Sequence, residues 1–142
     1  MASTPDSVLR TWFEELWNQG KEETIKRLLA PDGLIHGLGP DGQALRGPEA
    51  FLPFYHRFRG AFPDIHIEVI RTVTEGDMVA IQCHVTGTHK GESLGMPATS
   101  KRMDFWGIAI GRIANGQIAE GWNCFDFLTC YQQIGLLPQL PA

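Results

Sequence analysis

Cysteine is scarce and unpatterned. Cys83, Cys124 and Cys130 make an odd count with no C-x-x-C spacing, which argues against both a disulfide framework and a zinc ribbon. Reduced, mostly buried thiols are the expectation. Positive charge is also thin: 12 Lys and Arg stand against 16 Asp and Glu, and no basic run is longer than a pair such as Lys101-Arg102. The electrostatic footprint of a nucleic-acid binder is missing. Nowhere do 18 apolar residues run together, and the start, Met1 to Ser7, has neither the positive region nor the apolar run of a signal peptide. A soluble cytoplasmic protein with no membrane or nucleic-acid partner is expected. No repeat or low-complexity segment occurs, and 142 residues suit one domain with one core.

What is present changes period once along the chain. Thr4 before Pro5 predicts a helix start, with Thr4 as N-cap and Pro5 at the first helical position. Val8, Leu9, Trp12, Phe13, Leu16 and Trp17 then recur at helical spacing, and Gly20 ends the run. A second short helix is predicted from Lys21 to Leu29, stopping at Ala30-Pro31-Asp32-Gly33, followed by a brief extended piece, Leu34 to Leu38, that carries His36. A third runs from Pro48 to about Ala61, presenting Phe51, Phe54, Tyr55 and Phe58, with Pro53 as a candidate kink. After Phe62-Pro63-Asp64 the pattern alternates. Strands are predicted over Ile65 to Thr74, Met78 to His89 and Ser100 to Arg112, with a last one after Asn115-Gly116, a strong type I′ hairpin signal. A helix from Phe127 to Ile134 closes the chain. The result is an α+β fold in which a strongly curved antiparallel sheet wraps the helices and encloses a cavity.

Strand parity divides the candidate residues. On the last strand Ile118, Glu120, Trp122 and Cys124 fall on one face, and Gln117, Ala119, Gly121, Asn123 and Phe125 on the other. On the strand before it Phe105, Gly107 and Ala109 oppose Asp104, Trp106, Ile108 and Ile110. Both faces are largely apolar, so both need covering. Trp106, Ile108, Ile110 and Trp122 suit contact with a second copy; the alternative cover is the segment Leu136 to Ala142. Five histidines invite a metal site, but only His84 and His89 are close in sequence and they fall on opposite strand faces, so none is expected.

Several words in order carry a family resemblance: Trp17-Asn18-Gln19-Gly20, Ala61-Phe62-Pro63-Asp64, Gly87-Thr88-His89-Lys90-Gly91, Gly95-Met96-Pro97-Ala98-Thr99, Gly116-Gln117-Ile118-Ala119-Glu120-Gly121-Trp122 and Gln133-Ile134-Gly135-Leu136-Leu137-Pro138. Together they resemble the SnoaL-like polyketide cyclases, within the cone-shaped NTF2-like superfamily. The resemblance implies a homodimer, an apolar pocket for a small apolar or aromatic carbonyl ligand, and no cofactor or metal. It also implies intramolecular aldol ring closure with an Asp moving the proton. The family Asp, directly after the Trp of E-x-W-D, falls on Asn123, and a substrate-binding His of the neighbouring strand falls on Ala109.

Asn123 has an amide, which hydrogen-bonds but takes no proton near neutral pH. It is read as a donor to a carbonyl or developing enolate, or as a satisfied polar residue. Asp126 is the nearest carboxylate able to substitute, but Asp directly before a helix is a favoured N-cap, and that role is preferred. His36 lies near where the family often carries a pocket His, or before a surface turn. His89 borders a loop and either reaches a ligand or fixes the loop, the commoner use. The expected pocket is lined by Trp17, Phe54, Phe58, Cys83, Phe105 and Asn123, with His36, His89 and Ala109 as further candidates. A cyclase is the first reading and a non-catalytic binding protein the second. An isomerase or epoxide hydrolase of the same superfamily ranks last, because only Tyr55 and Tyr131 are available and no Asp-Arg-Asp set can be assigned to one pocket.

Overall fold

The computed structural model describes residues 4–139 and 141. Met1 to Ser3, part of the start without signal-peptide features, and Leu140 and Ala142 of the proposed covering segment lie outside the described residues. The first helix, α1 (Pro5–Thr11), begins as its sequence dictates: the Thr4 hydroxyl accepts the Ser7 N–H at 3.1 Å and Pro5 needs no donor. It continues as a π-helical stretch, Trp12–Asn18, whose wider turn leaves carbonyls to be satisfied from outside. Tyr55 Oη donates to the Leu16 carbonyl at 3.0 Å and Arg59 Nε to that of Trp17 at 3.2 Å.

A short helix, α2 (Thr24–Leu28), leads into β1 (Leu29–His36), then β2 (Leu45–Arg46) and the long helix α3 (Gly47–Ala61). Strands β3 (His66–Glu75), β4 (Met78–Thr88), β5 (Arg102–Ala114) and β6 (Gln117–Phe125) follow, and α4 (Phe127–Gln133) closes the chain. Helix α3 runs unbroken through Pro53, which faces solvent, so the carbonyl it leaves unbonded is open to water. Asn115 and Gly116 both adopt positive φ, 53° and 73°, as the hairpin signal requires.

The six strands form one curled sheet in the order β2-β1-β6-β5-β4-β3. The meander β3 to β6 is antiparallel, but β1 pairs parallel with β6, so the wholly antiparallel sheet expected from the sequence is corrected at that seam. The turn residues Pro31-Asp32-Gly33 do not end an element. They bulge out of β1 between the pairs Leu29 to Ile118 and Leu34 to Glu120, which explains why the strand reads as a loop and the second helix as longer than it is.

Two further bulges bend the sheet, at Ile70 between the β3 pairs of Val69 and Arg71, and at Ala119 where β6 loses step with β5. The second corrects the parity reading. Ile118 turns inward and is buried, while Glu120, Trp122 and Cys124 stay on the outer face. On β4 and β5 the alternation holds along the whole strand, with Val79, Ile81, Cys83 and Val85 inside opposite Met103, Phe105 and Ala109.

Side chains acting as extra strand residues pin the helices to the sheet. The Asn18 amide exchanges two hydrogen bonds with the backbone of Ile67, at 2.6 and 2.9 Å, and the Gln133 amide does the same with Asp104, at 2.8 and 2.9 Å. Asp64, in the turn before β3, accepts the Thr88 N–H at 2.7 Å at the end of β4. Burial pushes its carboxyl up, but the hydrogen bonds from Thr88 outweigh this and hold it below the usual range. A lowered folded-state pKa stabilises above the ordinary carboxylate pKa, and the gain is lost as pH falls through the folded value. Asp64→Ala is therefore expected to cost about 1 kcal/mol at neutral pH. The deficit against wild type should shrink in acid, read from urea unfolding across pH 2 to 7.

Candidate functional site

Helices and sheet enclose a cavity whose empty space, mouth included, is about 660 Å3. Its shape follows from residue size. Ala109, Gly111 and Gly121 leave the floor thin where β5 meets β6, while Phe125 lies across Gly107, where an added Cβ would fall 2.1 Å from the ring. The walls are aromatic. Trp17 packs edge-on against Phe51, Phe54, Tyr55 and Phe58, with centroids 5.1 to 6.5 Å apart. Phe105, Phe125 and Phe127 close the opposite side, with Phe127 reaching Phe54 and Phe58. Such contacts add to area burial and hold a wall of stiff rings.

Among the described residues Asn123 is the single lining residue whose side chain carries a hydrogen-bond acceptor; Trp12 and Trp17 bring only donating indole N–H groups, and the lining holds no carboxylate, imidazole, amine, thiol or phenol. It sits on β6 directly opposite Ala109 of β5, so the two positions where the family resemblance implies polar groups do adjoin, and both face the cavity. Its Nδ2 donates to the His36 carbonyl at 3.0 Å. This is possible because Gly37, at φ 90°, brings the end of β1 against β6; a Cβ there would lie 2.1 Å from the Asn123 carbonyl oxygen.

Of the sequence candidates, Trp17, Phe54, Phe58, Phe105, Ala109 and Asn123 line the cavity. Four do not. Cys83 is buried in the core, and burial pushes its thiol up to about 12, which removes it as a nucleophile or base near neutral pH. His36 lies on the outer face: strand alternation sends its ring away from the cavity, where it stacks on Trp122 at 5.6 Å and bonds Glu120 at 2.7 Å. The Glu120 carboxyl is lowered by that bond, with Arg112 adding to it.

His89 is fully buried at the root of the 90–99 loop, and its Nδ1 accepts the Thr99 N–H at 3.2 Å. Its backbone pairs with Lys101 and Ser100 across the loop, so it fixes the loop instead of meeting a ligand. Asp126 is exposed and caps α4 through the Thr129 hydroxyl at 2.6 Å and N–H at 3.1 Å, which lower its carboxyl.

The sequence reading missed Trp12, Phe13, Phe51, Phe125 and Phe127 as cavity walls. The first three were legible as a helical stripe, but a stripe does not say which members border empty space. Ile35 and Leu38 were hidden because β1 was not read as a sheet strand.

Among the described residues no group of three or more His, Cys, Asp or Glu is placed to hold a metal ion, and no helix is long and apolar enough to cross a membrane. The cone-shaped α+β architecture with an apolar cavity defines the class. The family model for SnoaL-like polyketide cyclase matches residues 7–134, and the chain belongs to that family.

Among its relatives, the aklanonic acid methyl ester cyclase DnrD of Streptomyces peucetius is 32% identical over 136 residues, covering 95% of this chain and 92% of that protein. The nogalonic acid methyl ester cyclase of Streptomyces nogalater is 26% identical over 125 residues, covering 84% and 89%. The crystal structure of wild-type IdmH from Streptomyces antibioticus superposes with a TM-score of 0.80 at 31% identity, covering 94% of this chain and 99% of that one.

Proposed function

We propose that this chain is a polyketide ester cyclase of the SnoaL type, closing a ring in a small, largely apolar carbonyl compound by an intramolecular aldol step without a cofactor. The observation that carries the reading is the aromatic cavity with Asn123 as its single side-chain hydrogen-bond acceptor. A flexible chain held among Trp17, Phe54, Phe58 and Phe105 loses the freedom that separates its ends, and such positioning supplies ~7 to 11 kcal/mol in ideal cases.

In the closure itself an enol carbon bonds to a carbonyl carbon, the carbonyl oxygen gains a proton and the enol oxygen loses one. No redox change occurs. With no titratable side chain in the lining, those protons exchange with water entering the mouth, and Asn123 contributes a hydrogen bond to the reacting oxygens instead of a proton.

The test is a paired assay of wild type, Asn123→Ala and Asn123→Asp on a small polyketide methyl ester. Wild type is expected to turn over, Asn123→Ala to fall at least tenfold, and Asn123→Asp to exceed wild type by restoring an acid/base group. Full activity in Asn123→Ala would remove Asn123 from the mechanism. The absence of titratable groups in the lining favours a second reading, a binding protein that kept the cone without the chemistry. Saturable binding with no turnover in any of the three proteins selects it.

A second copy of this chain is the proposed cover for the outer sheet face. Trp106, Ile108, Ile110 and Trp122 are 47, 49, 39 and 36% exposed there, and the described carboxy-terminal residues fold back on α4 through Gln132 and Gln139 instead of covering them. Polar pairs rim the patch: His84 stacks on Trp106 and bonds Asp104, as His36 does with Trp122 and Glu120. Cys124 is exposed on this face, whereas burial pushes the Cys83 and Cys130 thiols up to about 12. One thiol per chain is expected to react with a maleimide in dilute native protein and to be protected as concentration rises. Labelling independent of concentration contradicts pairing through this face.

A further inference from the structure

The Asn123 amide is not free to turn. A backbone carbonyl only accepts hydrogen bonds, so the group facing the His36 oxygen at 3.0 Å has to be the NH2 end, and the chemistry of the pair assigns the two amide atoms without ambiguity. Turning the amide over would set Oδ1 against that oxygen, acceptor to acceptor. The carbonyl itself is held by backbone: His36 is in register with Trp122, and Gly37 packs on the Asn123 peptide with no room for a Cβ. Oδ1 is the atom left over. Among the described residues it has no hydrogen-bond partner, and no other side chain bordering the cavity offers an acceptor, the indole N–H groups of Trp12 and Trp17 being donors only.

We infer that Asn123 determines specificity as an acceptor, selecting a ligand that presents a hydroxyl, either the enol of a carbonyl compound or a phenol, over one that offers only a carbonyl oxygen. The inference rests on the cavity proposed above as the ligand site and names the group that must be met there. A hydroxyl donates into the open lone pairs of Oδ1, whereas an acceptor-only group, whichever N–H of the lining it takes, leaves Oδ1 unmet. Covering Oδ1 with no donor in reach loses its water without return. For ring closure the consequence is direct. The enol is the nucleophilic tautomer of the aldol step, and an acceptor fixed beside its O–H holds that tautomer with the oxygen's proton aimed away from the attacking carbon.

Three matched naphthalenes test this on the full chain by calorimetry at neutral pH: 2-naphthol with a donor, 2-methoxynaphthalene with an ether and 2-acetylnaphthalene with a bare carbonyl. Wild type is expected to bind 2-naphthol at least tenfold more tightly than either of the others. In Asn123→Leu, of similar volume, that advantage should vanish while the ether and ketone bind as before or better. Equal or tighter binding of the ketone by wild type overturns the inference and leaves the cavity reading standing, as does a naphthol advantage that survives in Asn123→Leu. No binding of any of the three by folded wild type overturns both. Should Asn123→Leu fail to fold, judged by circular dichroism, the wild-type series decides alone.

Discussion

The parallel seam between β1 and β6 is the constraint on which the rest of the molecule depends. Without it the meander from β3 to β6 is an open, twisted sheet with an unpaired edge at β6; with it the sheet curls far enough to enclose space over the helices. The same seam decides three chemical facts. It turns His36 outward onto Trp122 and Glu120, it brings Gly37 onto the Asn123 peptide, and it places the His36 carbonyl where the Asn123 amide must donate to it. A parallel pair needs a crossover, here the long route through β2, α3 and the meander, so its geometry is held by contacts distant in sequence.

That distance separates what the sequence shows from what it hides. Local signals carried most of the elements: Thr4-Pro5 started α1, Asn115-Gly116 turned the last hairpin, and period-two alternation placed Phe105 and Ala109 inside and Trp106, Ile108 and Ile110 outside. Pro31-Asp32-Gly33 reads locally as a stop, and only pairing with β6 makes it a bulge in a continuing strand. The bulge at Ala119 is likewise a tertiary event; it reversed Ile118 while leaving Asn123 on the inner face. His36 and Cys83 went astray for related reasons. One sat on an unrecognised strand, and the other was rightly inside but packed into solid core instead of bordering a void.

The site is unusual in what its apolar walls leave for chemistry. Aromatic rings from the π-helical continuation of α1, from α3, β5, β6 and α4 converge on a floor of glycine and alanine. The π-helical turn matters here, because Tyr55 and Arg59 satisfy its carbonyls from α3 and thereby lock the Trp17 wall to the Phe54 and Phe58 wall. A cavity built this rigidly admits only the shapes its packing leaves room for. Its polar contacts are the amide of Asn123 and the indole N–H groups of Trp12 and Trp17. Three titratable candidates that the sequence offered for the site are engaged elsewhere: Asp126, the substitute proton carrier, as a helix cap, His89 as a loop anchor, and His36 in an outer-face pair.

Whether the seam fixes Asn123 with its oxygen toward the cavity is decided by a crystal structure of the chain with 2-naphthol bound. The naphthol oxygen is expected within hydrogen-bond distance of Asn123 Oδ1, with Nδ2 still on the His36 carbonyl and the rings between Trp17 and Phe105. A naphthol oxygen bonded to Nδ2 with the His36 carbonyl released, or a ligand seated outside the cavity, would contradict it.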